Sequence, residues 1–472
     1  MKPWIWHLPM LPALFLMLVA CQSSRQESPA SEITVIEGAT IIDGVADTPI
    51  EDAILVIEGE TIRSLARRGT FQPPANARTV NATGKTIMPG MINLHGHVGR
   101  TEGMDSLTEN FTLERVQRDA NVYLYYGVTH VLSLGHDLES IADFLAAQQA
   151  GRTSGARVYT AGLGFGAKGG WPNNPYVHRP TTPEEAHALA RKELGKHPQV
   201  IKIWVDDREG QAPKLPPEIY GPIIEEARKA GVHVAVHAYN LEEVKDLIRR
   251  GVTFLAHSIL DKEVDEEFLT LAKEKGVLVV PTLSAHDVNL AYADGAPFLD
   301  DPGLALLFPA SVLEILGSQE YQGTLARDPQ MDTWHRYYAT AVRNTVKIAA
   351  AGIPIALGTD SGLVRRFPGL WEHREMELLV QAGLTPMQAI QAATINGAKF
   401  LGLDHDYGTL SPGKVADFLV LDADPLSDIT NSRKIDSVWM NGKAVDRAAF
   451  TSGPPAPLKS APANPARRGG GT

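Results

Sequence analysis

The chain has 472 residues, enough for a large buried core, and its composition is that of an ordinary globular protein. The formal net charge is -11 at pH 7 and there is no long basic run, which argues against nucleic-acid binding and leaves the charge of a substrate open. The length favours one large domain with a smaller one over three equal units.

The N-terminus has the pattern of a signal peptide. Lys2 precedes an apolar stretch over 8–20 that is too short to span a bilayer but suits a secretory signal. The stretch ends in Leu18-Val19-Ala20-Cys21, which resembles the lipobox of bacterial lipoproteins, and Cys21 is the single cysteine of the chain. We expect residues 1–20 to be removed and Cys21 to carry a lipid, which would tether the protein without a transmembrane helix. Gln22 favours the outer membrane, facing the periplasm; an ordinary signal peptide with an incidental cysteine is the alternative.

Both ends of the mature chain contain short runs of β-type residues. After a flexible linker over 21–32, such runs occupy 33–38 and 53–60, and two more occupy 417–422 and 437–442. Each is bounded by Gly, Asn or Asp, which are typical of turns. These runs predict a small β-sandwich domain built from 33–85 and 404–448, and the Pro- and Gly-rich tail over 449–472 is predicted to be disordered.

The middle of the chain, over 86–403, alternates buried strands with helical stretches. Parallel βα units have this pattern, and eight of them predict an α/β fold of the (β/α)8 TIM-barrel type. The candidate strands are the one that ends at His97 and those at 127–134, 156–162, 200–205, 232–237, 253–257, 277–281 and 355–360. A doubly wound open sheet is the alternative, but no Gly-x-Gly-x-x-Gly turn follows the first strand.

The motif His95-Gly96-His97 lies at the end of the first candidate strand. Because side chains of a strand alternate between its faces, both imidazoles would project from the same side. The chain contains fifteen histidines, so this motif alone is a weak sign of a metal site. The rest of the chain must supply further ligands.

Other ionisable residues also lie at the predicted carboxyl ends of strands, where the chemistry of a TIM barrel takes place. Nitrogen and oxygen donors without thiolates suit Zn²⁺ and related divalent ions. A single histidine at a strand end is more often a hydrogen-bonded rim residue, and a single aspartate is often a helix cap. The full set is His95, His97, Lys202, His237, His257 and Asp360.

Lys202 is the unusual member, because it lies inside an apolar strand where an unpaired ammonium is costly to bury. One interpretation pairs it with a carboxylate of Asp206, Asp207 or Asp360. In the other, the neutral amine adds carbon dioxide, and the resulting carbamate bridges two metal ions.

Taken together, these motifs resemble the amidohydrolase superfamily, in the subgroup that has a binuclear centre and a carboxylated lysine and that includes the imidazolonepropionase-like and Xaa-Pro dipeptidase-like enzymes. The resemblance covers nearly the whole mature chain. The segments that carry it lie at 89–97, 201–204, 236–238, 256–258, 357–360 and 410–418.

The resemblance implies that His95, His97 and Asp360 hold one metal ion and that His237 and His257 hold the other, with carboxylated Lys202 between them. Zn²⁺ is the favoured ion. Two adjacent dications would lower the pKa of a bridging water to near neutrality, and Asp360 would pass its proton to the leaving group.

The implied activity is hydrolysis of amide or peptide-like C–N bonds, of the dipeptidase or amidase type. Related deaminases place a glutamate where this chain has Asn240, which weakens a deaminase interpretation. Ester hydrolysis of the lactonase or phosphotriesterase type stays open, because the same metals support it. A lipoprotein that binds a ligand without turnover is the alternative of another class.

Three further residues are candidates for contacts with a small-molecule substrate: His136, His178 and Tyr239. Each could instead brace a loop. His233 is predicted to be a core or supporting residue and not a ligand, and loops over 162–180 and 285–301 are expected to shape the pocket. A homo-oligomer is compatible with the sequence.

Overall fold

A computed structural model describes residues 32–70, 72 and 74–451. The predicted signal peptide, Cys21, nearly all of the predicted linker and the tail beyond residue 451 therefore lie outside the described residues. The predicted α/β class is confirmed as a mixed α/β fold. In chain order the strands are β1 (Ile33–Ile41), β2 (Ile50–Glu58), β3 (Thr61–Arg67), β4 (Arg78–Asn81), β5 (Thr86–Pro89), β6 (Met91–Gly96), β7 (Thr101–Glu102), β8 (Asp105–Ser106), β9 (Val128–Ser133), β10 (Arg157–Thr160), β11 (Val200–Trp204), β12 (His233–His237), β13 (Phe254–Leu255), β14 (Leu278–Val279), β15 (Phe418–Leu421), β16 (Ile435–Met440) and β17 (Lys443–Ala444).

The helices lie mainly between and after the parallel strands. They are α1 (Leu113–Tyr125), α2 (Ile141–Gln149), α3 (Pro183–Leu194), α4 (Pro217–Lys229), α5 (Leu241–Arg250), α6 (Glu266–Lys275), α7 (Leu283–Ala293), α8 (Pro302–Leu307), α9 (Ala310–Gly317), α10 (Gln319–Ala326), α11 (Met331–Ala350), α12 (Leu370–Ala382), α13 (Pro386–Ala392) and α14 (Ile395–Leu401). Short 3₁₀ turns occupy Thr108–Asn110, Pro297–Asp300, Ile429–Arg433 and Arg447–Phe450. Within the described ranges, no helix is both long enough and apolar enough to cross a bilayer.

Strands from both ends of the chain form one sheet, in the order β17-β16-β15-β5-β1-β2-β3 with β4 beside β1. Strand β5 lies parallel to β1 and antiparallel to β15, so it joins the N-terminal and C-terminal strands. Apolar side chains on one face of the sheet form a core of their own, which includes Phe418 stacked on Trp439 at 5.3 Å between ring centroids. The domain boundaries themselves stay a prediction.

The apolar run that leads to His95 contributes to two sheets, although the sequence suggests one strand. Strand β5 pairs in the sheet of the chain ends, whereas β6 pairs with β9. Gly90 separates the two strands, and a Cβ there would lie 2.5 Å from Thr129 Cγ2. A glycine is required because the backbone approaches the neighbouring strand this closely.

Strands β6 and β9 to β14 form two parallel sheets. One sheet contains β6, β9 and β10, and the other contains β11 to β14 in sequence order. The segment 355–361 is not a continuous strand, but it bridges β14 at Val279–Ile355 and β6 at Gly96–Ser361. On the other side, Gln199 N donates to Thr160 O at 2.8 Å, which links β10 to the start of β11. The two sheets are thus joined on both sides, and their strands all point the same way.

Helix α7 replaces part of a predicted loop. Residues 285–301 were expected to be a loop, but α7 continues to Ala293 and a 3₁₀ turn follows at Pro297–Asp300. The first backbone amides of α7, Leu283 N and Ser284 N, donate to the carboxylate of Glu375 on α12 at 2.8 and 2.7 Å. The prediction of a loop here was therefore wrong, because a distant helix supplies the N-terminal acceptor that the local sequence lacks.

Candidate active site

The six predicted ligand residues line a single cavity of about 550 Å³ at the carboxyl ends of the parallel strands. His95 and His97 lie at the end of β6, Lys202 lies within β11, and His237 is the last residue of β12. His257 follows β13, and Asp360 lies in the segment that bridges β14 and β6. The structure brings these six residues together from five positions along the chain.

The most compact part of the cluster is formed by His95, His257 and Asp360, each of which offers a ligand atom within 4.8 Å of the others. Nδ1 of His95 lies 2.9 Å from the carbonyl oxygen of Ala256. Since a carbonyl only accepts, the proton of this imidazole is on Nδ1, and Nε2 presents a lone pair. Burial lowers the pKa of His95 to about 4, so the ring is neutral at pH 7.

The lone pair of His95 Nε2 faces another acceptor, Asp360 Oδ1, at 3.3 Å. Two buried acceptors in this arrangement repel unless a cation lies between or beside them. The His257 ring shows a similar orientation, because its Nδ1 is 2.8 Å from Thr282 Oγ1 and its Nε2 is left for another partner. The donor set and its orientation therefore fit a divalent metal ion.

Asp360 also contacts His97 and Arg366. His97 Nε2 lies 2.8 Å from Oδ1 of Asp360, while the Arg366 guanidinium donates to Oδ2. Burial alone would raise the pKa of Asp360, but the charge of Arg366 and the hydrogen bond with His97 hold it well below the usual value. The carboxylate is ionised at neutral pH, as a metal ligand or proton acceptor must be.

The backbone around Asp360 is held by close contacts. Asp360 adopts a left-handed conformation with φ 55°, and its N–H donates to His95 O at 2.7 Å. Gly362 has φ +86°, and a Cβ at this position would lie 1.8 Å from His97 O. Glycine is therefore required here to bring the turn against the histidine pair.

The buried carboxylate of Glu372 holds the turn around Asp360 in place. Oε1 of Glu372 accepts hydrogen bonds from the hydroxyls of Thr359 and Ser361, each at 2.7 Å, and from the side-chain amide of Asn93. Burial raises the pKa of Glu372 to about 6. The residues on either side of Asp360 are thus anchored to α12.

Lys202 is 1% exposed, and its Nζ has no hydrogen-bond partner in the described part of the chain. Its ammonium position lies 5.4 Å from the centroid of the Trp204 ring. The suggested carboxylate partners are engaged elsewhere: Asp206 with His237, Asp207 with Lys214 and Asp360 with Arg366. Burial lowers the pKa of Lys202 to about 7, so much of the amine is uncharged at neutral pH.

His237 and Tyr239 pack together on one side of the site, and Tyr239 also lines a second, neighbouring cavity. His237 Nε2 lies 3.0 Å from Asp206 Oδ2, and its ring centroid lies 4.6 Å from that of His257. Tyr239, a predicted substrate contact, packs against His237 at 4.6 Å between ring centroids and lines the metal-facing cavity. Its position is compatible with that prediction.

The two other predicted substrate contacts, His136 and His178, differ in whether they line the cavity. His136 lines the cavity, and its Nδ1 accepts a hydrogen bond from Arg100 at 2.9 Å, while Nε2 is buried without a partner among the described residues. His178 does not line this cavity, and its Nε2 is bound to Glu193 at 2.9 Å. The contact with Glu193 favours the bracing role for His178.

Two further residues occupy positions other than those of ligands. Asn240 caps α5 by accepting from the backbone N–H groups of Glu242 and Glu243, so it has a structural role. His233 is exposed at the start of β12 and contacts Thr253, so it is not a core residue, and it does not line the cavity, as expected of a residue that is not a ligand. The first residue of the strand lies at its solvent-exposed end.

Sequence reasoning missed several residues of the cavity. Four arginines line it, and His286 on α7, which lines the neighbouring cavity, is next to Tyr239, with 5.7 Å between ring centroids. The arginines follow strand ends within a few residues, and this spacing could have identified them, whereas His286 belongs to the segment wrongly expected to be a loop. These missed arginines are Arg100, Arg208, Arg365 and Arg366.

Comparison with known proteins decides the family, because the sequence over residues 86–445 matches the amidohydrolase family. The chain belongs to the amidohydrolase family. This confirms the predicted superfamily and the prediction of a hydrolase that acts on C–N bonds. The binuclear, carboxylated-lysine subgroup stays a prediction.

Several relatives of this amidohydrolase align over most of their length. Ochratoxinase from Aspergillus niger is 25% identical over 459 residues, covering 88% of this chain and 86% of that protein. The 5-methylthioadenosine/S-adenosylhomocysteine deaminase of Pelotomaculum thermopropionicum is 24% identical over 470 residues, with 87% and 92% covered. A crystal structure of a Xaa-Pro dipeptidase with methionine in its active site superposes with a TM-score of 0.69 at 23% identity, covering 88% of this chain and 100% of that one. The last likeness supports the fold alone.

Proposed function

We propose that this amidohydrolase cleaves amide or peptide-like C–N bonds of small molecules with the help of two divalent metal ions. The main support is the pair of acceptors His95 Nε2 and Asp360 Oδ1, which face each other in a buried site beside His257. Arg366 already pairs with Oδ2 of Asp360, and a metal ion between Oδ1 and the Nε2 lone pair would remove the remaining repulsion. The described residues that line the cavity offer nitrogen and oxygen ligands and include no cysteine, so Zn²⁺ is the favoured ion.

In the proposed centre, His95, His97 and Asp360 would hold the first ion, and His237 and His257 would hold the second, with Lys202 as a carbamate ligand that would supply negative charge to both. The support for the carbamate is a buried amine that lacks a partner among the described residues and has a pKa near 7. A neutral amine has the lone pair that adds carbon dioxide, and loss of one N–H proton to water then leaves an anionic carbamate.

The metal ions would supply Lewis acidity and would lower the pKa of a water molecule towards neutrality. Asp360 takes the proton of the attacking water and transfers it to the leaving nitrogen. Arg366 keeps Asp360 ionised and fixes Oδ2, which leaves Oδ1 directed towards the histidines. His136 and Tyr239 line the cavity as candidate contacts for the substrate.

We also propose that the parallel strands form a (β/α)8 barrel. Backbone contacts join the two parallel sheets on both sides, through 355–361 and through the link from Thr160 to Gln199. Barrels of this type have their active sites at the carboxyl ends of the strands, which is where the six predicted ligand residues lie. Together with the sheet of the chain ends, this gives a barrel and a smaller β domain.

Attachment through Cys21 and an outer-membrane location facing the periplasm remain proposals that rest on the N-terminal motif. Labelling expressing bacterial cells with a fatty acid tests them. The wild-type chain should incorporate the label and sediment with the outer membrane, whereas Cys21→Ser should do neither. Label in the Cys21→Ser variant would contradict the proposed site.

The test of the metal centre combines metal analysis with a substrate library. Protein prepared with divalent ions and bicarbonate should bind two metal equivalents and hydrolyse members of a library of dipeptides, N-acyl amino acids and lactones. Fewer than one equivalent under these conditions would exclude a binuclear centre. Hydrolysis of lactones alone would replace the C–N assignment with ester hydrolysis.

Isotope labelling tests the carbamate directly. With ¹³C-bicarbonate the wild-type protein should show a carbamate carbonyl signal that is absent in Lys202→Gln. Lys245→Gln is the matched control, because Lys245 is also buried but pairs with Asp265 at 2.6 Å and Glu267 at 3.0 Å. A signal that survives in Lys202→Gln would contradict the assignment.

A further inference from the structure

A second cavity of about 600 Å³ adjoins the metal-facing cavity. The two share a wall, so a molecule bound at the metal cluster can extend a substituent into the neighbouring space. The second cavity is also lined by residues of α7 and α11, among them His286, Asn289 and Tyr337. The residues that form the shared wall are Trp171, Arg208, Tyr239, Arg365 and Arg366.

The arginines around the metal-facing cavity have different partners. Arg366 is bound to Asp360, and Arg100 donates to His136 and to Ser106 O. Arg208 lies over the Trp171 ring at 4.8 Å, and its guanidinium is 3.9 Å from the Asp206 carboxylate. Each of these three is thus committed to protein groups within the site or at its mouth.

Arg365 is different, because among the described residues its guanidinium donates only to a neutral amide, Asn289 Oδ1, at 2.6 Å, and makes no ion pair with any of them. The side chain is half-buried in the wall between the cavities. A guanidinium has five donors in a planar fork that matches a carboxylate, so most of its binding capacity remains available.

The backbone holds Arg365 at this place. The φ angle of Arg365 is 72°, in the left-handed region that residues other than glycine rarely adopt. The hydroxyl of Tyr292 donates to Arg365 O at 3.1 Å, and Gly362 N donates to Arg366 O at 2.9 Å. Strained backbone maintained by neighbouring contacts is common at sites that bind ligands.

The position of Arg365 also indicates which part of a substrate it meets. In the proposed reaction the leaving nitrogen receives its proton from Asp360, so the leaving group lies beside Asp360. Arg366 binds Asp360, and Arg365 is the adjacent residue of the same turn. Both arginines line the wall shared by the two cavities, so a substituent on the leaving amine that extends along this wall would meet Arg365 and enter the second cavity.

We propose that Arg365 binds a carboxylate carried by the leaving amine, so that the preferred substrates are N-acyl amino acids and dipeptides with a free C-terminal carboxylate. This inference rests on the proposed C–N hydrolysis and deepens it. The acyl part occupies the metal-facing cavity, and the amino-acid part occupies the second cavity. Asn289 keeps one edge of the guanidinium in place and leaves the other for the ligand.

The experiment compares pairs of substrates that differ only in charge: N-benzoyl amino acids and their C-terminal carboxamides. The metal-loaded wild-type enzyme should hydrolyse the carboxylate member with a kcat/KM at least about tenfold higher, because a charge-assisted bidentate contact is lost in the carboxamide. Arg365→Gln should reduce this preference to less than about twofold, mainly through KM. Arg365→Lys should retain part of it, since it keeps the charge without the planar fork.

Arg208→Gln and Arg100→Gln are the matched controls, because both arginines line the same cavity but already have partners in the site. Neither should remove the preference. If the preference disappears in a control variant and persists in Arg365→Gln, Arg365 is not the carboxylate site. Metal content and thermal unfolding are measured for every variant, and Arg365→Lys serves as the second test if Arg365→Gln does not fold.

The outcomes separate the two levels of the proposal. Equal hydrolysis of both substrates by the wild-type enzyme would overturn carboxylate selection and leave C–N hydrolysis intact. Hydrolysis of neither substrate, nor of any library amide, would count against the proposed function and would remove the basis for Arg365 as well. A preference that depends on Arg365 would support both.

Discussion

The strand-end cluster and the wall of the cavity differ in how their residues are held. His95, His257 and Asp360 are positioned by backbone hydrogen bonds and buried side chains, with His95 only 1% exposed. In the wall, Trp171 is 39% exposed and its contact with Arg208 lies at the surface. The difference indicates that the reacting groups depend on buried strand ends, whereas the part of the wall formed by Trp171 and Arg208 is exposed to solvent.

The largest effect is expected in the cluster, from Asp360→Asn. Loss of the proton-transferring carboxylate should lower kcat/KM by about 10²- to 10⁴-fold while the metal ions are retained. Steady-state hydrolysis and metal analysis measure this. The control is Glu109→Gln, an exposed acid that lines the same cavity, for which a change of less than about threefold is expected. Unchanged turnover in Asp360→Asn would refute its role as proton shuttle.

Gly362→Ala tests whether the close approach of the Asp360 turn matters. The added Cβ would lie 1.8 Å from His97 O, so the histidine must shift, and kcat/KM should fall by about 100-fold. Gly413→Ala is the control, because it has a similar φ of +90° but nothing within 4 Å of the added Cβ. If both variants lose activity equally, backbone strain and not the contact with His97 is responsible.

Thr282→Val removes the oxygen that His257 Nδ1 contacts while keeping the shape of the side chain. Metal affinity or activity should fall by about 10- to 100-fold, because this contact orients the imidazole. Thr253→Val is the control. Thr253 Oγ1 contacts Nδ1 of His233 at 2.8 Å, outside the site, so this change should leave the metal content unchanged. Titration of metal binding distinguishes the two, and equal loss would argue against orientation by Thr282.

The smallest effect is expected in the wall, from Trp171→Ala. Loss of the ring under Arg208 should raise KM by about two- to fivefold, the size of an exposed cation–π contact, with little change in kcat. Kinetics with the preferred substrate would show this division. A large loss of kcat would mean that the wall belongs to the catalytic machinery, and the distinction between the two regions would no longer hold.

The cluster could be predicted from the sequence because its geometry follows from strands. Period-two alternation predicts that His95 and His97 share a face, and parallel strands bring Lys202, His237 and Asp360 to the same edge. The structure brings these side chains together as expected. Their roles as ligands stay a prediction.

Other features depend on contacts that no local pattern reveals. Helix α7 begins at Leu283 because Glu375, 92 residues away, accepts from its first amide. The separation of β5 from β6 depends on the approach of Thr129 to Gly90. The half-buried position of Arg365 depends on Asn289 and Tyr292, both from α7. These positions are set by packing between distant segments.

The pairing of β5 with β15 has a consequence for the order of folding. Residue Pro89 faces Phe418 across this pair, so one edge of β5 remains without its neighbour until nearly all of the chain has been synthesised, whereas β1 to β4 have their partners among the first strands. Contacts this distant in sequence form slowly, because a long loop must close first. The parallel strands lie between these partners and can assemble earlier. Closure of the terminal sheet would then be a late step, after which the exposed edge of β5 is covered.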